Sequence, residues 1–113
     1  RGVKQRLEFP ILTDEINKAW AGLTTKEYKN LKDLKKENLR DNMSNLELVL
    51  NMLAETATTE ISKKEQPNTF PKNRQVARQG GQIAGGARKK LEKQLGRKVV
   101  TEKNHLVGLK LAK

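Results

Sequence analysis

Cysteine is absent from the 113 residues, which excludes a disulfide scaffold and a zinc site built on thiolates. Its absence fits a reducing compartment. Aromatic residues are 4% of the chain and all apolar residues 35%, so a core here has to be built mostly from Leu, Val, Ile and Ala. No apolar run approaches the roughly 20 residues of a membrane span, and no signal-peptide pattern opens the chain. A cytoplasmic setting, nucleoid-associated if the partner is DNA, is therefore the default expectation. His105 is the single histidine and falls in an expected loose tail, so no Ser-His-Asp arrangement can be assembled around it. No catalytic residues, no metal site and no cofactor are expected. Asp33, Glu37 and Asp41 have helical spacing, but Lys32, Lys35, Lys36 and Arg40 surround them, which favours ion pairs over a metal. Acidic residues are scarce in one half only. Residues 1–65 carry 12 basic and 11 acidic side chains, whereas residues 66–113 carry 12 basic and 2 acidic.

What is present is helical periodicity. Residues 1–12 read as a linker whose Phe9, Ile11 and Leu12 dock on the domain behind them. The chain begins at Arg1 rather than Met, as expected for a piece whose N-terminal neighbour is missing. Thr13 is a candidate cap for a first helix with Asp14 and Glu15 in its opening turn. Its inner stripe is Ile16, Ala19, Trp20 and Leu23, and Gly22 ends it. Thr24 with Glu27 forms a capping-box pattern. The helix it starts turns Tyr28, Leu31, Leu34 and Leu39 inward and Lys26, Lys29, Lys32 and Lys36 outward, and stops near Asp41-Asn42. Ser44 with Glu47 opens a third helix. Leu46, Val49, Leu50, Leu53, Ala57 and Ile61 form its stripe, Leu48 and Met52 add a second flank, and it reads as the central element. A proline-bearing loop, EQPNTFP at 65–71, separates it from a fourth helix running from about Lys72 to Leu95 and closed by Gly96. Val76, Gly80, Ile83, Ala87 and Leu91 form the inner stripe of that helix, with Ala84 and Leu95 beside it. Val99, Val100 and Thr101 read as a short extended piece. The expected architecture is an all-α bundle of four main helices, with a domain over 13–104 and a flexible basic tail over 105–113.

The fourth helix concentrates the charge. At 100° per residue Arg74, Arg78, Lys89 and Lys93 share about a third of its circumference, and Arg88, Lys90, Arg97 and Lys98 extend the charge toward its end. Glu92 is the only acid between Lys72 and Lys98. A row of cations on one helix face can track phosphates, so Arg74, Arg78, Arg88, Lys89, Lys93, Arg97 and Lys98 are the candidate site for a nucleic acid or an acidic partner. The competing reading is a solvated face that binds nothing. Gly80, Gly81, Gly85 and Gly86 lie inside the same helix, each about 1 kcal/mol worse than Ala there. Close approach of another backbone, first of all the third helix, would offset this. A phosphate cradle fits poorly, because no Lys-Ser/Thr follows and no strand precedes. A helix that breaks there and orders on a partner is the third option. Thr13 to Leu31 can also be read as a helix-turn-helix with Lys26, Lys29 and Lys32 toward DNA. Trp20 and Tyr28 could stack on bases, but both lie on apolar stripes, which favours core packing.

The stretches LKKENLRDNM, LELVLNMLAE, VARQGG and ARKKLE, within 12–67 and 74–104, resemble the C-terminal region of the DNA-damage-inducible protein D family. Phage antirepressor-like proteins with a BRO-type N-terminal domain carry similar segments. The resemblance implies a missing BRO-type domain, a place in the bacterial SOS response and an association with recombinase filaments on single-stranded DNA. It supplies no catalytic or contact residues. The expected function is thus a non-enzymatic regulatory module that binds DNA, single- or double-stranded, or a recombinase–DNA filament through its basic helix. The alternative is a protein–protein or homodimerisation module, which exposed Leu or Met on a helix face would favour.

Overall fold

The computed structural model describes residues 5–102, with side chains from Glu8 onward. Four α-helices and one 3-10 turn follow in order: α1 Gln5–Ala21, α2 Thr25–Leu31, the turn Arg40–Asn42, α3 Asn45–Glu65 and α4 Phe70–Leu95. The architecture is all-α, as the periodicity predicts. The tail over 105–113, His105 included, and residues 1–4 lie outside the described residues.

α4, not α3, is the central helix. It packs extensively on both α1 and α3, which touch each other little. Its glycines make this possible. A Cβ at Gly80 would lie 2.6 Å from the Thr58 backbone nitrogen on α3, and a Cβ at Gly81 or Gly85 would lie 2.7 and 2.6 Å from the Ile16 and Ala19 carbonyl oxygens on α1. Side chains would hold either neighbour away, so small residues on two faces let α4 seat two helices at once. The third helix was expected to meet these glycines; it meets one, and α1 meets two. Ala77 and Ala84, both buried, face the angle between the two neighbours.

The rotation of α4 differs from the expected stripe accordingly. Val76, Ala77, Gly80, Gly81, Ala84 and Gly85 are buried, while Ile83 is 51% exposed and Leu95 is exposed as well. Contact through small residues, rather than hydrophobicity, sets which face is inside. α3 is likewise rotated. Glu47, Leu50, Asn51 and Ala54 are its buried residues, and Val49, Met52 and Leu53 face solvent.

α1 begins at least two turns before Thr13 and carries Pro10 inside it. Thr13 is therefore not its cap, and Asp14 and Glu15 lie in its middle. Phe9 and Ile11 are exposed instead of docked. α1 and α4 run in the same direction, with Glu15 beside Arg74 and Ala19 over Gly85, so the first turns of α1 project past the start of α4. Gly22, at φ 81°, closes α1 as expected. Both capping boxes form, Thr24 with Glu27 and Ser44 with Glu47. α2 stops much earlier than Asp41. Asp33 takes the left-handed conformation at φ 58°, and the Leu34 N–H donates to the Lys29 carbonyl at 2.8 Å, a Schellman closure that turns the chain inward. Leu34, Leu39 and Met43 then enter the core with Trp20, Tyr28, Leu50, Ala54 and Ala84. Past Gly96 the chain folds back. Val99 is buried in this core and its N–H donates to Glu92 Oε2 at 3.0 Å.

Candidate nucleic-acid interface

The seven cations singled out from the sequence divide into those held by the fold and those left to solvent. Arg74 and Arg78 both reach across to Glu15 of α1, Arg74 through Nε at 3.1 Å and a second bond from Nη2, Arg78 through Nε at 3.4 Å. Arg74 also lies 5.9 Å over the Phe70 ring. Arg88 is largely buried. Its Nε donates to the Trp20 carbonyl at 2.6 Å, satisfying an open acceptor near the end of α1, and its Nη1 donates to Glu92 at 2.9 Å. These three arginines join helices. Arg97 and Lys98 are exposed but lie beyond Gly96, off the helix. Lys89 and Lys93 are exposed and make no ion pair among the described residues.

The carboxylates take their charge from these contacts. The Arg74 hydrogen bond holds Glu15 below its ordinary 4.5, with Arg78 adding and burial opposing. Burial pulls Glu92 upward, but the Val99 N–H and Arg88 outweigh it and leave that carboxyl low as well. Both stay ionised near neutrality, so the two arginines on Glu15 are partly neutralised as a binding surface.

What remains is the side of α4 that neither neighbour covers. At 100° per residue Lys72, Lys89, Lys90 and Lys93 share an arc of about 100° with Gln75, Gln79 and Gln82, all exposed. Gly86 lies in the middle of that arc. No carboxylate lies on it. At one edge, a cleft of about 420 Å³ runs between α1 and α4, where Lys18, Arg78 and Lys89 face Glu15. Sequence reasoning found Lys89 and Lys93 and named Lys90 only as an extension of the charge, but passed over Lys72 and the glutamines. The signal was there: glutamines at i, i+4 and i+7 opposite the small residues mark a polar ridge. It went unread because the inner face was placed by hydrophobicity.

A second cluster of titratable groups is sealed inside. Lys32, expected on the outer face of α2, is fully buried and donates to Glu47 Oε1 at 2.9 Å. The Tyr28 hydroxyl donates to Glu47 Oε2, and the ammonium lies 5.7 Å from the Tyr28 ring. Burial, then the Glu47 carboxylate, pushes the Tyr28 phenol far up, so it stays a donor. The inward turn of Lys32 takes one of the three lysines from the helix-turn-helix reading, and the burial of Trp20 and Tyr28 removes their stacking roles. Asp33, Glu37 and Asp41 share no helix, and no group of three metal-ligating side chains occurs among the described residues. No helix among those residues is long and apolar enough to cross a membrane. In comparisons with known proteins, no family model, no curated protein and no solved structure matches the chain.

Proposed function

We propose that the chain is a non-enzymatic module that binds nucleic acid through the uncovered face of α4. The family resemblance suggests the bacterial DNA-damage response as the setting, with DNA or a recombinase–DNA filament as the partner. The observation that carries the reading is a ridge with Lys89, Lys90 and Lys93 at its C-terminal end, none paired with a carboxylate among the described residues. Elsewhere acids and bases pair: Glu15 with Arg74 and Arg78, Glu55 with Arg40, Glu92 with Arg88. Unpaired cations aligned on a helix release counterions from a polyanion. The cluster of Tyr28, Lys32 and Glu47 does not compete as a catalytic site, because each of its side chains is enclosed and already bonded.

The test is fluorescence anisotropy with single- and double-stranded DNA across a salt series. Binding should weaken steeply with salt. A Lys89→Ala/Lys90→Ala/Lys93→Ala variant should lose most of it, with the slope of log affinity against log salt falling by about 0.9 for each duplex phosphate contact removed. Arg74→Ala/Arg78→Ala should act mainly on stability. No binding near physiological salt would sink the reading.

A second reading has its own observation. Val49, Met52 and Leu53 form an exposed apolar strip on α3, with Val49 60% exposed, as a protein–protein or dimerisation module would require. Sedimentation at rising concentration checks it: association abolished by Val49→Lys/Met52→Lys supports this reading, and a monomer throughout removes self-association.

A further inference from the structure

Three of the four glycines within α4 are explained by the helices packed on them; Gly86 is not. A Cβ at Gly80, Gly81 or Gly85 would collide with α3 or α1, whereas a Cβ at Gly86 would meet nothing within 4 Å. Its φ is not in the left-handed region, so no turn requires glycine there. Alanine would make a better helix at this position, and nothing inside the molecule opposes it. Gly86 is also placed at the middle of the uncovered ridge. Gln79 and Gln82 lie seven and four residues before it, and Lys89, Lys90 and Lys93 lie three, four and seven after it, all on the same side.

We infer that α4 lies in the major groove of duplex DNA with Gly86 at the point of closest approach. The inference rests on the nucleic-acid reading above and names the strand form and the contact point. The major groove admits an α-helix, and a glutamine amide can bond the N6 and N7 edge of adenine. Gln79 and Gln82 are the side chains so placed, and the three lysines reach the phosphates flanking the groove. Gly86 lets the helix backbone come closer than any side chain would allow. Duplex is favoured over a single strand because proteins that hold separated bases stack them on exposed rings. Here Trp20 and Tyr28 are fully buried, the exposed ring of Phe9 lies on α1 away from this face, and the α4 ridge carries no aromatic residue.

The experiment compares the whole chain with Gly86→Ala, Gly86→Leu and Lys89→Ala/Lys90→Ala/Lys93→Ala. Each is titrated with a mixed-sequence duplex and with a single strand of the same length, and each is melted without DNA. Gly86→Ala should melt higher than the parent yet bind duplex several-fold more weakly, and Gly86→Leu should bind at least tenfold more weakly. Stability and affinity moving in opposite directions would separate a contact role from a structural one. Gly86 variants that bind duplex as tightly as the parent, while the lysine variant loses binding, would overturn the close approach and leave the nucleic-acid reading standing. Tighter binding to the single strand than to the duplex would overturn the groove assignment. A parent chain that binds neither strand form would overturn both readings.

Discussion

At position N3 of α3, one carboxylate has three donors. Glu47 Oε1 accepts the Ser44 N–H at 3.0 Å and the Lys32 ammonium at 2.9 Å, and Oε2 accepts the Tyr28 hydroxyl. A local cap has become the hub of a buried network. Breaking a buried ion pair by removing one partner leaves the other charge uncompensated and costs about 3–5 kcal/mol. Glu47→Ala should therefore destabilise the fold by that order in urea denaturation. The double variant Lys32→Met/Glu47→Gln should lose clearly less, because no buried charge remains. Glycine placement gives a second residue-scale prediction. Gln66 caps α3 in the left-handed conformation at φ 48°, which costs a non-glycine residue roughly 1 kcal/mol. Gln66→Gly should recover about that much. Gly80→Ala should lose about 1–3 kcal/mol by overpacking, since the added carbon would lie 2.6 Å from the Thr58 backbone nitrogen. Thermal melts of the two variants should move in opposite directions.

Between elements, the tie from Glu15 to Arg74 and Arg78 holds α1 to α4 across 59 and 63 residues of sequence. Because the folded carboxyl sits below its ordinary 4.5, its contribution is present above that value and is lost as pH falls through the lower, folded value. The protein should therefore lose stability on acidification below about pH 4.5, and Glu92, also lowered, acts in the same direction. Arg74→Ala/Arg78→Ala should be less stable at neutral pH and should show a flatter acid limb in denaturation midpoints measured from pH 6 to pH 3. Two exposed arginines make the effect modest, since solvent screens them. The ends of the elements were largely legible locally. Ser44 with Glu47, Thr24 with Glu27, Gly22 and Gly96 all cap where local chemistry places them. The exceptions have physical reasons. Residues 1–12 read as a linker, yet α1 begins at Gln5 and runs through Pro10, and Asp33 ends α2 in a conformation that favours glycine.

For the whole molecule, a net charge of +11 repels itself in the folded state. Added salt screens that repulsion and should raise the thermal midpoint, while the same salt weakens attraction to a polyanion. Opposite responses of melting temperature and DNA affinity over one salt series would mark the charge as serving a partner rather than the fold. A melting temperature that falls with salt would show that the internal ion pairs outweigh the repulsion.

Periodicity and capping alone determined an all-α chain, most of its helix ends and the uneven distribution of charge. Those are local properties, written in spacings of three and four residues. Which helix is central, which cations are free and which face of α3 is wet were decided by tertiary packing. Glycines opposite Thr58 and Ala19 let two backbones close on α4. That closure rotated Ile83 and Val49 outward and set Arg74, Arg78 and Arg88 against acceptors on α1. Lys32 shows the limit most plainly. Its charge and helical spacing place it outside with Lys29 and Lys36, and only a carboxylate fifteen residues away brings it in.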